Sequence, residues 1–197
     1  MKISVVITIG ILVIIMSVLL YAKNEKIKKN FKTSTENNVR KSKLDYNPYL
    51  RLRNQAINVT PDQLKLKLET ENEVYGMIMD WNMGEVIASV VSFRTGDASV
   101  YLSTGQAFIG GYAHETIITA SNKFIAEGEK YYNKAIKTVR TEPANENKVV
   151  FYFLTKSDKY YIEDDFSNIE NGTSNLVNLF EAGNLVITEY RMLTDNK

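Results

Sequence analysis

Apolar and polar positions along this chain fall into three patterns. The first is a run, Ile3 to Ala22, of twenty residues without a charge, ISVVITIGILVIIMSVLLYA. That length suits the ~20 residues an α-helix needs to cross a ~30 Å hydrocarbon core, so it predicts a transmembrane anchor over residues 1–22. A cleaved signal peptide, leaving an exported domain, is the alternative. It wants an apolar core of ~7–15 residues and small residues at the cleavage site. Here the run is longer, and the cleavage triplet would be Leu20-Tyr21-Ala22. Lys23, Lys26, Lys28, Lys29 and Lys32 follow the run, against Lys2 before it. Basic flanks stay on the cytoplasmic side. The reading is a single-pass membrane protein, bound to the membrane through residues 3–22, with its C-terminal domain facing the cytoplasm.

The second pattern is the strand pattern. Residues 23–43 are too polar to bury a core and read as a basic flexible linker; residues 44–60 lead into the fold, and 44–197 form one domain. Thr60-Pro61-Asp62-Gln63 has the residues of a helix start, with a cap, a proline at the first position and a glutamine three residues on. A short helix is expected from Pro61 to Leu66. Val74 to Trp81, VYGMIMDW, lacks polar alternation and predicts a strand buried on both faces. Val86 to Phe93 and Ala98 to Ser103 predict two more, joined by a hairpin at Arg94-Thr95-Gly96-Asp97. Gln106 to Ile109 is a short fourth. Val149 to Leu154 and Tyr160 to Ile162 form a second hairpin, with Phe151, Tyr152, Phe153, Tyr160 and Tyr161 as cross-strand pairs. Glu163-Asp164-Asp165 and residues 168–173 read as loops.

The third pattern is helical spacing. Ile117, Ile118, Ser121, Phe124, Ile125, Gly128, Tyr131, Tyr132 and Ala135 recur at three and four residues, predicting a helix over 113–137. A last helix, 174–192, buries Leu176, Leu179, Phe180, Gly183, Val186, Ile187 and Tyr190; its Gly183 points to close helix–sheet contact. The expected fold is α+β: a transmembrane helix, then one domain with a mainly antiparallel sheet of five to six strands, a meander plus a hairpin, packed by two long helices. This order of elements resembles the profilin-like and roadblock/longin-type architecture, with an extra short strand before the middle helix and one strand fewer after it. That resemblance implies a binding or scaffold module.

Composition narrows the chemistry. Net charge is +1 and the basic excess sits in the linker, so the domain offers nucleic acid no basic face. The chain has no cysteine, which removes disulfides and thiolate metal sites. No metal and no cofactor is expected. VYGMIMDW, TGDASVYLSTG and IGGYAHE resemble an uncharacterised group of bacterial proteins sharing VYG-x-x-MD-W, GDAS-x-Y-x-STG, IGG and HE, over most of residues 56–193. The resemblance implies no activity and no catalytic residue.

Within those strings lie the candidates for chemistry. Ser103, Thr104, Gly105, Gly110 and Gly111 flank a short strand ahead of a helix N-terminus, where backbone N–H groups favour anions. The spacing of Gly105 and Gly110 fits a phosphate loop, but Gly111 and Tyr112 stand where lysine and a hydroxyl residue are required. Turn glycines are the simpler reading. His114 is the one histidine. As a general base it needs a carboxylate and a nucleophile within reach, and Asp80, Asp97 and Ser103 are the candidates. The function expected is a non-enzymatic binding or scaffold domain with a protein partner, and the alternative is a hydrolase built on His114.

Overall fold

The structure, a computed structural model, describes residues 47–195. The anchor and linker expected at 1–22 and 23–43 lie outside the described residues. Among the described residues no helix is long and apolar enough to cross a membrane. The expected fold of membrane-spanning helix plus five or six strands is corrected accordingly, to an α+β domain on a seven-stranded antiparallel sheet.

The strands are β1 (Val74–Asn82), β2 (Ile87–Phe93), β3 (Ala98–Leu102), β4 (Ala107–Phe108), β5 (Ile136–Thr138), β6 (Lys148–Thr155) and β7 (Lys159–Asp165). Their order across the sheet is β4-β3-β2-β1-β6-β7-β5. Every residue of β1 is buried, as its lack of alternation requires. Among the described residues four α-helices accompany the sheet: α1 (Pro48–Ile57), α2 (Glu115–Glu129), α3 (Phe166–Glu170) and α4 (Val177–Asp195).

The helices α2 and α4 cover one face. Met77, Met79 and Trp81 of β1, Val90 of β2, Val100 of β3, and Phe151 and Phe153 of β6 pack there against Ile117, Phe124, Leu179, Phe180 and Val186. Close approach depends on two helical glycines. A Cβ at Gly183 would stand 2.8 Å from Met79 Sδ, and one at Gly128 2.7 Å from Met77 Sδ. Trp81 is wedged between Phe166 and Phe180, with ring centroids 4.8 and 5.0 Å away.

The other face is closed by α1 and by two irregular stretches. Tyr49, Ala56 and Ile57 of α1 join Tyr75, Ile78, Val91, Tyr101, Val150, Tyr152 and Leu154. Residues 139–147, between β5 and β6, must pass over β7 because β6 lies inside it. They cross as a strap, with Ala144 buried beneath.

Several local expectations change. Residues 44–60 hold a helix, started by Pro48 and capped by Asn47, whose Oδ1 accepts from the Tyr49 N–H at 3.0 Å. The capping box at Thr60 and Gln63 forms, with Gln63 Oε1 accepting from Thr60 N at 2.8 Å and Thr60 Oγ1 from Gln63 N at 3.3 Å. It opens only a turn, because Lys65 takes φ of 55° and breaks the helical path. The middle helix ends at Glu129 rather than 137. A 3-10 turn and β5 occupy the rest, so Tyr132 and Ala135 pack from a turn. Glu163-Asp164-Asp165 belongs to β7, and the short helix Phe166–Glu170 takes the first three residues of the loop expected at 168–173. The tyrosine hairpin stands as expected: Tyr152 faces Tyr161 and Phe153 faces Tyr160.

Candidate functional site

Asp80 is the lone charge in an apolar strand. Arg53 is the lone charge on the apolar side of α1, at helical spacing from Tyr49, Ala56 and Ile57. They meet at zero exposure. Arg53 Nε donates to both carboxylate oxygens of Asp80 at 3.0 Å, and Nη2 donates to Oδ2 at 2.5 Å. Ser89 donates to Asp80 Oδ1 at 2.5 Å, which leaves the Tyr49 hydroxyl to donate to Ser89 Oγ at 3.0 Å. Arg53 also donates to the strap, from Nη1 to the Thr141 carbonyl and from Nη2 to the Glu142 carbonyl. Tyr152 donates to the same Glu142 carbonyl at 2.6 Å, and Asn82 Nδ2 to that of Ala144 at 2.8 Å. Burial is the largest influence on the Arg53 guanidinium and would lower it, but the Asp80 charge and hydrogen bonds, with Tyr49 and Tyr152, together outweigh burial and raise it. Burial, and then Asp80, push the Tyr49 hydroxyl up. This node is a buried ion pair with both Asp80 oxygens engaged; it joins α1, β1 and the strap.

Ser103 is also committed. Its Oγ accepts from Ile87 N at 2.9 Å and its own N–H donates to Ile87 O, locking the far end of β2 to β3. Asp97 directly precedes β3 at the opposite end, six residues away, or ~20 Å of extended chain. Asp80 faces Ser89, two strands in from β3 and three pairs from the Ser92–Ala98 pair beside Asp97. It therefore lies ~13 Å along and ~10 Å across from Asp97. Asp80, Asp97 and Ser103 stand at three separate places. The candidate anion loop divides in the same way: Ser103, Thr104 and Gly105 turn at one end of the β3–β4 hairpin, and Gly110 and Gly111 lie at the other.

What does come together is a corner formed by Asp97, Gly110, Gly111, Tyr112 and His114. Gly96 makes the turn with φ of 82°, and Ile118 of α2 sits where its Cβ would be, at 2.8 Å. Asp97 accepts backbone N–H bonds from Ala98 and Tyr112, yet burial dominates and pushes its carboxyl above the usual range. Its backbone carbonyl accepts from Ser121 Oγ at 3.2 Å. Gly111 is squeezed between Ile117, Ala98 O and the Tyr190 hydroxyl, which donates to Ala98 O at 2.7 Å. The GDAS and IGG strings are therefore two sides of one packed joint. His114 caps α2 through its backbone and is exposed, off the buried face of Ile117.

Beyond this joint the sheet ends in a lip. Ala98 to Ala113 contain no acidic, basic or histidine side chain. Ala107 is exposed on β4, Ile109 is 62 % exposed and Tyr112 69 %. The opposite edge differs. Ile136 and Val139 are exposed there too, but Lys134, Lys137 and Arg140 stand among them, and Lys137 and Arg140 pair with Asp158 at 2.7 Å and Glu163 at 3.0 Å. Edge lysines and arginines discourage strand addition.

No group of acidic residues and histidine among the described residues has the geometry to hold a metal ion. Compared with known protein families, curated proteins and solved structures, the chain matches none. Sequence reasoning missed Arg53 and Tyr49. The available signal was a pair of lone charges, each inside an apolar pattern, which are stable in a core only if they find each other.

Proposed function

We propose that the domain is a binding module that takes a protein partner at the β4 edge and the adjoining Ile109–Tyr112 lip. One observation carries the reading: among the described residues both sheet faces are closed by helices and the strap, while the β4 edge is uncovered, uncharged and tipped with apolar side chains. An exposed edge strand is a template for another strand; β4 itself is short, Ala107–Phe108, and the adjoining Ile109–Tyr112 lip extends the surface it offers. The residues that would make a hydrolase are dispersed or already bonded, Asp80 to Arg53 and Ser103 to Ile87. That supports binding over turnover.

A photo-crosslinking amino acid at position 112, introduced in growing cells, tests this. Discrete adducts are expected from 112 and none from the exposed Thr119 on α2. Equal labelling from both positions, or none from 112, would overturn the reading. So would a hydrolytic turnover that His114→Ala abolishes in a folded chain.

A further inference from the structure

We infer that the partner at the β4 edge is a second copy of this chain, joined by antiparallel pairing of β4 with β4 across a two-fold axis. This rests on the binding reading above and adds the partner's identity. The sheet stops at β4, and among the described residues no strand lies on its outer side. The main-chain pattern of an antiparallel strand is complementary to itself: rotation by half a turn about an axis normal to the sheet sets donors against acceptors. Any other partner must bring a free edge of its own.

Charge selects this edge for self-pairing. A two-fold axis places each side chain near its own copy, and like charges opposed across strands are destabilising. Nothing from Ala98 to Ala113 carries such a charge. The same operation at β5 would bring Lys134, Lys137 and Arg140 of two copies together. The axis also keeps each sheet face on its own side. Residues opposed across it must then share a face and differ by an even number. An axis through Phe108 sets Phe108 against its own copy on the α2–α4 face, where it already leans on Tyr190 with centroids 5.9 Å apart. Ala107 then opposes Ile109 of the second copy on the other face. The exposed Ile109 and Tyr112 flank the seam.

The absence of cysteine makes the test clean. Full-length chains carrying Ala107→Cys are mixed with full-length chains carrying Ile109→Cys and mildly oxidised. The expected product moves from 22.4 kDa to about twice that mass, with Ala107→Cys bonded to Ile109→Cys. Val139→Cys, at the β5 edge, stays monomeric, and adding Ile109→Asp to Ala107→Cys chains abolishes the dimer. Dimer formed as readily from Val139→Cys would overturn the inference. So would a monomer whose thiol at 107 reacts freely with maleimide, since the edge is then bare. A monomer with that thiol blocked would also overturn it, because another segment or protein covers the edge. Adducts from position 112 to a different protein, without the disulfide, would reject the second copy and leave the binding module standing. Loss of both signals would reject both.

Discussion

Under α2 and α4, Met77 and Met79 press into helices that carry glycine at the points of contact. Under α1, Arg53 reaches through an apolar layer to one carboxylate and two backbone carbonyls. Both faces belong to the same seven strands, and both exclude water. The first is closed by shape: many small dispersion contacts, none indispensable, whose sum depends on fit. The second is closed by connection. A ten-residue helix and an irregular strap bury less apolar surface, and a few polar bonds fix where they lie. A packed face tolerates a poor fit in proportion to the misfit. A connected face fails when its one charge loses its counter-charge.

The sharpest way to break that contrast is Asp80→Ala. It strands the Arg53 guanidinium at zero exposure, and removing one partner of a buried pair costs about 3–5 kcal/mol. A denaturant midpoint lowered by no more than a surface substitution would show that the pair does not hold α1. Arg53→Met combined with Asp80→Ala should cost less than the sum of the two singles, and strict additivity in the same titration would mean the two side chains are not coupled. On the packed face, Gly183→Ala is expected to cost about 1–2 kcal/mol through overpacking against Met79, even though alanine favours a helix interior by about 1 kcal/mol. A rise in Tm would place slack under α4 that the structure does not show. Tyr152→Phe removes one hydroxyl bond to the strap and should cost about 1 kcal/mol. Its signature is local: amide exchange quickens in residues 141–145 and is unchanged in α4. The smallest effect lies at the corner, outside both faces. Burial raises Asp97 above its ordinary value, so the native state holds that proton more tightly than the unfolded chain. Stability should rise as pH falls through the raised value toward the unfolded one, and the opposing contribution is fully present above it. Asp97→Asn should flatten this acid-side slope in thermal melts across pH, and an unchanged slope would remove Asp97 from the account.

Much of the packed face was legible in the chain. Unbroken burial of β1, the hairpin at Gly96, the Phe153–Tyr160 pair of β6 and β7 and the tight contact at Gly183 all follow from period and residue type. The connected face was not. Arg53 sits in LRLRN, where two arginines look alike, and only the position of Tyr49 four residues earlier marks which one turns inward. The strap has no periodicity, and its Thr141 and Glu142 carbonyls are recruited by one side chain, Arg53, 88 and 89 residues away in the chain. The β5 strand was hidden because Tyr131, Tyr132 and Ala135 continue the helical spacing of α2 past its end. A turn can present the same residues to the same core. Asp97, Gly111 and His114 were recognised as neighbours in sequence, but their joint is made by Tyr190, which arrives from the last helix.

The strap also orders events in time. A ribosome releases Arg53 long before Thr141 and Glu142. Until those carbonyls emerge, a docked α1 would bury guanidinium donors with no acceptor. Asp80 can meet Arg53 early, but the seat of α1 is complete only when the strap supplies its carbonyls, so this helix is set to gain its last contacts late.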